Sequence, residues 1–355
     1  MESSGASSAA KLEANLEALD KAVIRASEDS GSTILVLPFG GRVIGAFAPG
    51  EGDNFLWTNP ALNEVASGRA LLDSGIWANS GGERTWLAPE KDFFYPDFPD
   101  FRDYFQPRGF DPGNYSARRE GSKVILENRV ILHSFRLGED LELMMTKILE
   151  PLPLMDRLER LASGIEGTSY RASLELELRS GPSETPVGLW SLLQLPPSGT
   201  MLTATTKPAK IVRYFGGFGE GEFEIGESLF RWHMRSGYDR KLGLVAADVT
   251  GRLGYAYELS GRACLIVRDI EVDPRATYLD APYGGSEGPA CAVQYCSIDN
   301  ERLGSFRELE YHSSAIGGKT GLVRIRSDSV VTCFRGSREG IGKLENSLFG
   351  LSLNR

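Results

Sequence analysis

The sequence predicts a large antiparallel β-sandwich with a short helix near each end of the chain. More than a dozen short runs of apolar and β-branched residues have strand length, and no strand–helix–strand alternation accompanies them. Glycine is abundant, at 41 of 355 residues, and provides the turns that many short strands need. No period of about 20 to 50 residues recurs, which disfavours propellers and solenoids.

The composition is that of a globular protein able to bury a large core, with 41% apolar and 25% charged residues. The chain has 48 acidic and 39 basic residues, and the net charge of -9 argues against a nucleic-acid partner, which requires a basic face. No apolar run reaches the ~18 residues of a membrane-spanning helix. The start lacks the basic and apolar regions of a secretory signal, so we expect a cytoplasmic protein with no membrane partner.

Leucines and a valine recur at helical spacing over residues 9–28 and predict the first helix. The apolar period then shortens and predicts three short strands, at residues 33–37, 42–48 and 54–58. No Pro- or Ser-rich linker divides the chain. We therefore expect a tail and helix over residues 1–32, packed on a single domain that spans residues 33–355.

Most of the predicted strands lie in the middle and the C-terminal part of the chain. Residues 170–178 alternate leucines with charged side chains, a pattern typical of a sheet with one buried and one solvated face. β-rich runs also fill residues 123–152, and further strands are expected up to residue 334. Residues 341–349 predict a short closing helix, although Gly342 lowers the helix propensity there.

The most distinctive segment is residues 81–90, which read GGERTWLAPE. A double glycine allows a close backbone approach, and extended chain then brings Arg84, Trp86 and Glu90 to one face. A guanidinium, an indole face and a carboxylate suit a polyhydroxylated ring, because the polar groups hold hydroxyls and the aromatic ring covers C–H surface. The alternative is a buried Arg–Glu pair beside a core tryptophan.

Residues 89–115 contain nine aromatic residues, five prolines and two glycines. The prolines and glycines predict an irregular excursion rather than a helix or strand. Long excursions from compact domains tend to be lids or binding loops. A loop that is only held in place by its own aromatic cluster is the alternative.

A late predicted strand, residues 306–312, carries two carboxylates with i, i+2 spacing, Glu308 and Glu310, which face the same way. Paired acids on one face can serve general acid–base chemistry, since each ionised carboxylate raises the pKa of the other. His312 shares this face. A solvated strand face gives the same pattern, so the spacing alone leaves both interpretations open.

The chain has only three histidines, and they are scattered. His133 is expected to have a structural role, whereas His233, with two arginines and a tryptophan nearby, is the best single candidate for a proton donor. Three scattered histidines cannot form an HExxH zinc site, and the four cysteines show no zinc-ligand spacing. We therefore predict no metal and no cofactor, and four free thiols.

Several segments in this order resemble the galactose mutarotase-like superfamily, within it the bacterial relatives of aldose 1-epimerase. They are an early Gly-Gly-Arg strand, NFLW at residues 54–57, the GGERTWLAPE segment, VGLWSLLQ at residues 187–194 and Glu308-Leu309-Glu310. The resemblance covers roughly residues 33–335. It implies a β-supersandwich, a large twisted sandwich that binds carbohydrate on a concave face.

The resemblance also implies roles for particular residues. Glu308 matches the glutamate that acts as base in a Glu-x-Gln motif, with Glu310 in place of the glutamine. Arg84 matches an arginine implied to touch sugar hydroxyls. The histidine that acts as acid is expected within residues 187–194, and this stretch has Trp190 and Gln194 but no histidine.

The function that we expect is anomer interconversion of a sugar, of the aldose 1-epimerase type. Glu308 acts as base, and His233, Glu310, His312 or a tyrosine acts as acid. The residues expected to hold the sugar are Arg84, Trp86, Glu90, Trp190, Gln194 and His312. The partner is a mono- or oligosaccharide. A non-catalytic carbohydrate-binding protein is the alternative from another class, and glycan hydrolysis or elimination on the same fold is a third.

Overall fold

The structure of the protein, a computed structural model, describes residues 8–50, 52–154, 164–181, 183–234, 237–282 and 289–350. Within these ranges two large sheets, of nine and ten strands, pack around a shared hydrophobic core. All strand pairs in the described part of the chain are antiparallel. The predicted all-β sandwich is confirmed.

The nine-stranded sheet carries the site described below. In spatial order its strands are β1 (Ile24–Ser27), β2 (Thr33–Leu37), β3 (Arg42–Phe47), β4 (Glu83–Ala88), β9 (Gly188–Leu195), β18 (Gly304–His312), β17 (Val293–Asn300), β14 (Arg240–Leu244) and β11 (Ile211–Phe215).

The ten-stranded sheet covers the opposite side of the core. In spatial order its strands are β12 (Phe223–Ile225), β13 (Leu229–His233), β10 (Thr200–Thr205), β15 (Val249–Leu259), β16 (Arg262–Ile270), β19 (Arg324–Gly336), β8 (Glu166–Leu178), β7 (Glu139–Leu152), β6 (Lys123–Ser134) and β5 (Ser116–Glu120).

Four α-helices flank the sheets in the described part of the chain. They are α1 (Ala9–Ala18), α2 (Val65–Leu72), the one-turn helix α3 (Glu90–Phe93) and α4 (Arg338–Phe349). The predicted closing helix is confirmed as α4. None of the helices in these ranges is long and apolar enough to cross a membrane.

The first predicted helix is only half right. α1 begins after Ser8, whose side chain accepts the backbone N–H of Lys11, and buries Leu12 and Leu16. It ends well before residue 28, because Asp20 takes a left-handed φ of 58° and β1 follows. β1 pairs with β2, so the segment before residue 33 contributes a strand to the nine-stranded sheet. The division into residues 1–32 and a domain over 33–355 stays a prediction.

The strand predicted at residues 54–58 is wrong. The Asn54 side chain binds the backbone there, since its Oδ1 accepts hydrogen bonds from the N–H groups of Ala46 and Leu56, both at 3.0 Å. Side-chain bonds of this kind compete with a strand ladder. Only an isolated bridge from Thr58 to Gly81 forms in this stretch.

The double glycine brings β4 close to β3. Gly81 and Gly82 have positive φ values of 96° and 75°, and a Cβ atom at Gly82 would lie 2.2 Å from the Val43 carbonyl oxygen. Only glycine fits this position, because it tolerates both the left-handed backbone and the close contact. The chain then enters β4 in the register that pairs Arg84 with Leu192 of β9.

The interior between the sheets includes a buried charge cluster as well as apolar side chains. Glu83 is wholly buried and accepts hydrogen bonds from Tyr170 at 2.9 Å and from Arg268 at 3.2 Å, with the Lys147 ammonium 3.6 Å away. Tyr170, Arg268 and Lys147 belong to the ten-stranded sheet. The cluster therefore fixes which face of β4 is turned inward.

Candidate functional site

A cavity of about 500 Å³ opens on the outer face of the nine-stranded sheet. Side chains from β4, β9, β18, β17, β14 and β11, six consecutive strands, reach it. Its volume falls in the range of about 300–1,000 Å³ that is typical of small-molecule sites. Six of the nine predicted site residues line it: Arg84, Trp86, Glu90, Trp190, Glu308 and Glu310.

Successive side chains of β18 point alternately to the cavity and to the core. Glu308 and Glu310 line the cavity, whereas Leu309 and Tyr311 belong to the hydrophobic core. Arg268 of the other sheet stacks 4.4 Å above the Tyr311 ring, which confirms the direction of that face. The alternative of a solvated strand face is wrong, because both carboxylates are buried.

Glu308 is held by two donors from neighbouring strands. Its Oε1 lies 3.0 Å from Arg84 Nη2 and accepts a hydrogen bond from Gln194 Nε2 at 2.9 Å. Gln194 is directly opposite Glu308 in the pairing of β9 with β18, so the register itself sets this contact. Gln194 does not line the cavity, and its contact there is through Glu308, so a direct role in holding a sugar stays a prediction.

Arg84 has hydrogen-bond donors that no other described residue uses. Its guanidinium lies 4.4 Å from the Trp86 ring and 5.6 Å from the Trp77 ring. Its Nε and Nη1 atoms are buried and have no hydrogen-bond partner among the described residues. Buried donors without partners are costly, so these two nitrogens are suited to a ligand's oxygen atoms.

Glu310 has a different environment from Glu308. Its Oε2 accepts a hydrogen bond from Trp190 Nε1 at 2.7 Å and lies 3.0 Å from Lys241 Nζ, while Oε1 has no partner among the described residues. Burial raises the pKa of Glu310 to about 7, against the Lys241 ammonium and together with the Glu308 charge. Glu310 can therefore hold a proton near neutral pH.

Lys241 is the cation that balances this end of the cavity. Burial opposes its charge, but the surrounding carboxylates, Glu310 first among them, outweigh burial and raise its pKa. Its ammonium also lies 4.4 Å from the Trp190 ring. Lys241 thus stays charged and is a fixed donor next to Glu310.

Asp111 fixes two tryptophans at the other end of the cavity. Its Oδ2 accepts hydrogen bonds from Trp86 Nε1 at 2.7 Å and Trp77 Nε1 at 2.8 Å, and lies 3.0 Å from Arg42 Nη2. One buried carboxylate thereby orients both indoles and balances the Arg42 guanidinium. The indole faces beside Arg84 are rigid as a result.

Residues 89–115 form a wall of the cavity and are also held by their own aromatic cluster. Phe94 stacks on Tyr104 with ring centroids 5.7 Å apart and packs against Trp86 at 5.1 Å. Tyr104 donates a hydrogen bond to Glu90 at 2.8 Å, and burial raises the pKa of its phenol, which stays protonated. The excursion is thus held by its own aromatic cluster and also lines the cavity, and its role as a lid or binding loop stays a prediction.

The prediction that Glu90 shares an extended strand with Arg84 and Trp86 is wrong. β4 ends at Ala88, and Glu90 begins α3 after Pro89. Glu90 still lines the cavity, from its wall rather than from its sheet.

The structure does not bring His233 to this site. His233 lies on β13 of the ten-stranded sheet, where its Nε2 pairs with Glu224 at 2.8 Å and its Nδ1 contacts Thr200 at 3.2 Å. Its local neighbours in the sequence made it a candidate acid, but the strand joins the other sheet. His233 is therefore a partly exposed histidine in hydrogen-bond contact with Glu224 and Thr200, away from the cavity.

His312 shares the β18 face of Glu308 and Glu310 but does not line the cavity. Its ring stacks on Trp190, with centroids 5.6 Å apart and planes 16° apart. Burial lowers the pKa of His312 to about 4, although the nearby Asp280 carboxylate acts in the opposite sense. A neutral imidazole therefore packs on the Trp190 indole, outside the cavity lining.

Cys296 brings a thiol next to the two carboxyls. Its Sγ and one oxygen each of Glu308 and Glu310 lie within 4.8 Å of one another. Arg84 and Lys241 already pair with these carboxylates, and burial raises the pKa of the Cys296 thiol, so it stays protonated. Two adjacent cations and a neutral thiol disfavour a metal ion here. All four cysteines are buried and free.

The fold and cavity define a β-sandwich protein with a small-molecule site on the outer face of one sheet, built around two carboxyls and three tryptophans. No family model and no curated protein matches the chain. Three solved structures to which it is similar are a galactose mutarotase related enzyme from Lactobacillus acidophilus, a galactose 1-epimerase from Lactobacillus acidophilus NCFM and an aldose epimerase homologue from C. elegans.

These likenesses extend over nearly the whole chain. The mutarotase related enzyme is 9% identical, with a TM-score of 0.46 over 90% of this chain and 98% of that one. The galactose 1-epimerase is 8% identical, with a TM-score of 0.48 over 90% and 95%. The C. elegans homologue is 11% identical, with a TM-score of 0.42 over 90% and 100%.

Proposed function

We propose that the protein binds a reducing sugar in this cavity and interconverts its anomers by general acid–base catalysis, as an aldose 1-epimerase does. The observation that carries the proposal is the pair of buried carboxyls in one cavity, Glu308 beside the Arg84 guanidinium and Glu310 beside the Lys241 ammonium. Glu308 lies 3.0 Å from the Arg84 guanidinium and accepts a hydrogen bond from the Gln194 amide, whereas burial raises the pKa of Glu310 to about 7. Two titratable groups whose environments differ in this way are suited to act as base and acid.

The lining of the cavity supports a sugar as the ligand. The faces of Trp77, Trp86 and Trp190 offer apolar surface for C–H groups. The unpartnered nitrogens of Arg84 and the free oxygen of Glu310 are available to hydroxyl groups at the same time. A polyhydroxylated ring uses both kinds of surface.

The reaction needs one proton removed and one proton added. Glu308 takes the proton of the anomeric hydroxyl as the bond between the anomeric carbon and the ring oxygen breaks, and Glu310 protonates that ring oxygen. The open-chain aldehyde rotates about its first C–C bond. The ring closes on the other face of the carbonyl, and both protons return to their starting groups.

The stretch in which the resemblance expects a histidine supports Glu310 as the acid. Trp190 lies in this stretch, and its indole N–H bonds to Glu310 Oε2. An indole cannot donate a proton to the sugar as an acid, but it orients the carboxyl that can. The proton donor is thus supplied by the strand that also carries Glu308.

Anomer exchange measured by NMR saturation transfer over a panel of reducing sugars tests the proposal. We expect exchange well above the buffer rate for at least one sugar, and a loss of ~10²–10⁴-fold in Glu308→Gln. Glu258→Gln, an exposed glutamate on β15, is the matched control and should retain the rate. Buffer-level exchange for every sugar, or full activity in Glu308→Gln, would contradict the proposal.

Hydrolysis of a glycosidic bond is the second candidate, because retaining glycosidases also use two carboxyls ~5 Å apart, and atoms of Glu308 and Glu310 approach within 4.8 Å. Product analysis on oligosaccharides separates the two reactions. Cleaved products favour hydrolysis, and calorimetric binding without exchange or cleavage favours a non-catalytic carbohydrate-binding protein.

A further inference from the structure

A second cavity, of about 450 Å³, adjoins the first. Four residues line both cavities: Trp77, Tyr104, Gln106 and Arg302. The rest of its lining comes from Phe39, the end of α2, the loop after α2 and residues 105–112. The two cavities therefore share a wall of side chains that can contact a ligand on either side.

Two of the shared side chains have unused hydrogen-bonding groups. Neither the Gln106 amide nor the Arg302 guanidinium has a hydrogen bond or ion pair with another described residue. The Trp77 ring between them is fixed by the bond from its Nε1 to Asp111. An aromatic platform beside free amide and guanidinium groups repeats the chemistry of the first cavity.

The charge of the second cavity is positive. Arg302 and Arg108 line it, and the Asp111 carboxylate is the single acidic group in its lining. Asp111 is already balanced by Arg42 and bonded to two indole N–H groups. Two guanidiniums that pair with no carboxylate among the described residues, in a chain of net charge -9, form a local site for an anionic group.

Arg108 also ties the two sides of this cavity together. Its Nη1 donates a hydrogen bond to the Gly75 carbonyl at 3.0 Å, across from residues 105–112 to the loop after α2. Its other donors have no partner among the residues that the structure describes, and Arg108 lines the cavity. An arginine fork in this position can bind a carboxylate with two parallel hydrogen bonds.

We propose that the ligand is an acidic oligosaccharide that occupies both cavities. Its reducing unit lies over Glu308 and Glu310, and its next unit carries an acidic group, as a uronic acid does, against Arg302 and Arg108. The placement of the reducing unit rests on the proposed function. The second cavity and its two arginines are independent observations.

Isothermal titration calorimetry with hexoses, neutral disaccharides and disaccharides that contain a uronic acid tests this proposal. We expect the acidic disaccharides to bind most tightly. Arg302→Gln should weaken the binding of these disaccharides about five- to ten-fold relative to the binding of hexoses. Raising the ionic strength to about 1 M, where the screening length is ~3 Å, should weaken the binding of the acidic ligands alone. The matched control is Arg129→Gln, an exposed arginine on β6, which should change none of these affinities.

A second variant does not depend on charge. Ala78→Phe places a ring in the second cavity, whose lining includes Ala78, whereas the lining of the first does not. It should weaken disaccharides more than hexoses, with the fold checked by circular dichroism and thermal melting. A change of equal size for all sugars would count against a second sugar unit in this cavity.

The outcomes separate this proposal from the proposed function. If hexoses bind and exchange anomers while acidic disaccharides gain nothing, the acidic oligosaccharide is refuted and the proposed function stands. If neutral disaccharides bind as tightly as acidic ones, the role of the two arginines is refuted. If no sugar of any length binds, both proposals fail.

Discussion

The substitution Glu310→Gln separates the acid from the base in the proposed reaction. The amide has the shape of the carboxyl and can keep the contact with Trp190, but it has no proton to give to a ring oxygen. Loss of a general acid costs ~10²–10⁴-fold in rate, so we expect kcat to fall by this factor. KM should change much less, because the rest of the cavity lining is intact.

The pH dependence of the rate gives the size of the effect expected from the raised pKa of Glu310. With a pKa of about 7, Glu310 is largely protonated below that pH, and its protonated fraction falls to about one-hundredth at about pH 9. The rate of anomer exchange should therefore decrease about 100-fold between about pH 6 and pH 9. This limb should be missing from the small residual rate of Glu310→Gln.

The same raised pKa affects stability in a direction that can be checked. Since the folded-state pKa of Glu310 is raised from 4.5 to about 7, the folded protein binds the proton more tightly than the unfolded chain does. The contribution of Glu310 to the free energy of unfolding is complete below about pH 4.5 and is lost as pH rises through about 7. At ~1.4 kcal/mol per pKa unit, the free energy of unfolding should fall by about 3 kcal/mol over this range. Glu310→Gln should remove this part of the pH dependence.

The assay combines saturation-transfer NMR from about pH 5 to pH 9 with urea unfolding over the same range. Glu258→Gln serves as the control, because it loses one exposed carboxylate far from the cavity. A rate that stays flat across pH 7 in the native protein would refute Glu310 as the acid. So would a Glu310→Gln variant with the native rate.

Three further predictions concern the supporting residues. His233→Ala should change binding and exchange rates less than about two-fold, measured by calorimetry and NMR, because His233 lies on the other sheet. Asp111→Ala should lower the free energy of unfolding in urea by about 3–5 kcal/mol, since it leaves the buried Arg42 without its carboxylate. Trp190→Phe should move the falling limb of the pH–rate profile to higher pH. The indole hydrogen bond favours the ionised form of Glu310, so its removal raises the pKa of that carboxyl.

The sequence predicts the parts of the site that depend on local periodicity. The i, i+2 spacing on β18 predicts that Glu308, Glu310 and His312 share a face, and the same rule predicts the pairing of Arg84 with Trp86 on β4. In the structure both strands keep this geometry. Period-2 alternation is a property of the strand itself and needs no knowledge of its neighbours.

The partners of these residues could not be predicted, because they depend on which strands pair. Lys241 reaches Glu310 across β17 from β14, and no local pattern connects the two residues. Asp111 comes from an irregular excursion, where only its composition was informative. His233 fails for the same reason: its neighbours in the sequence suit an acid, but strand pairing places it on the other sheet.

The N-terminal helix shows a limit of periodicity within one segment. The leucine spacing continues through residue 23, yet the helix ends at Ala18. A left-handed residue at Asp20 and a free sheet edge beside β2 end it, and residues 24–27 gain ladder hydrogen bonds there. Tertiary pairing overrides the helical pattern where a strand partner is available.

A crystal structure with a bound reducing sugar tests the central claim most directly. It should show the anomeric hydroxyl within ~2.6–3.2 Å of a Glu308 oxygen and the ring oxygen at similar distance from Glu310 Oε1, with Arg84 nitrogens on neighbouring hydroxyls. A sugar bound elsewhere on the molecule would contradict the claim. So would a sugar in the cavity whose anomeric carbon lies beyond the reach of both carboxyls.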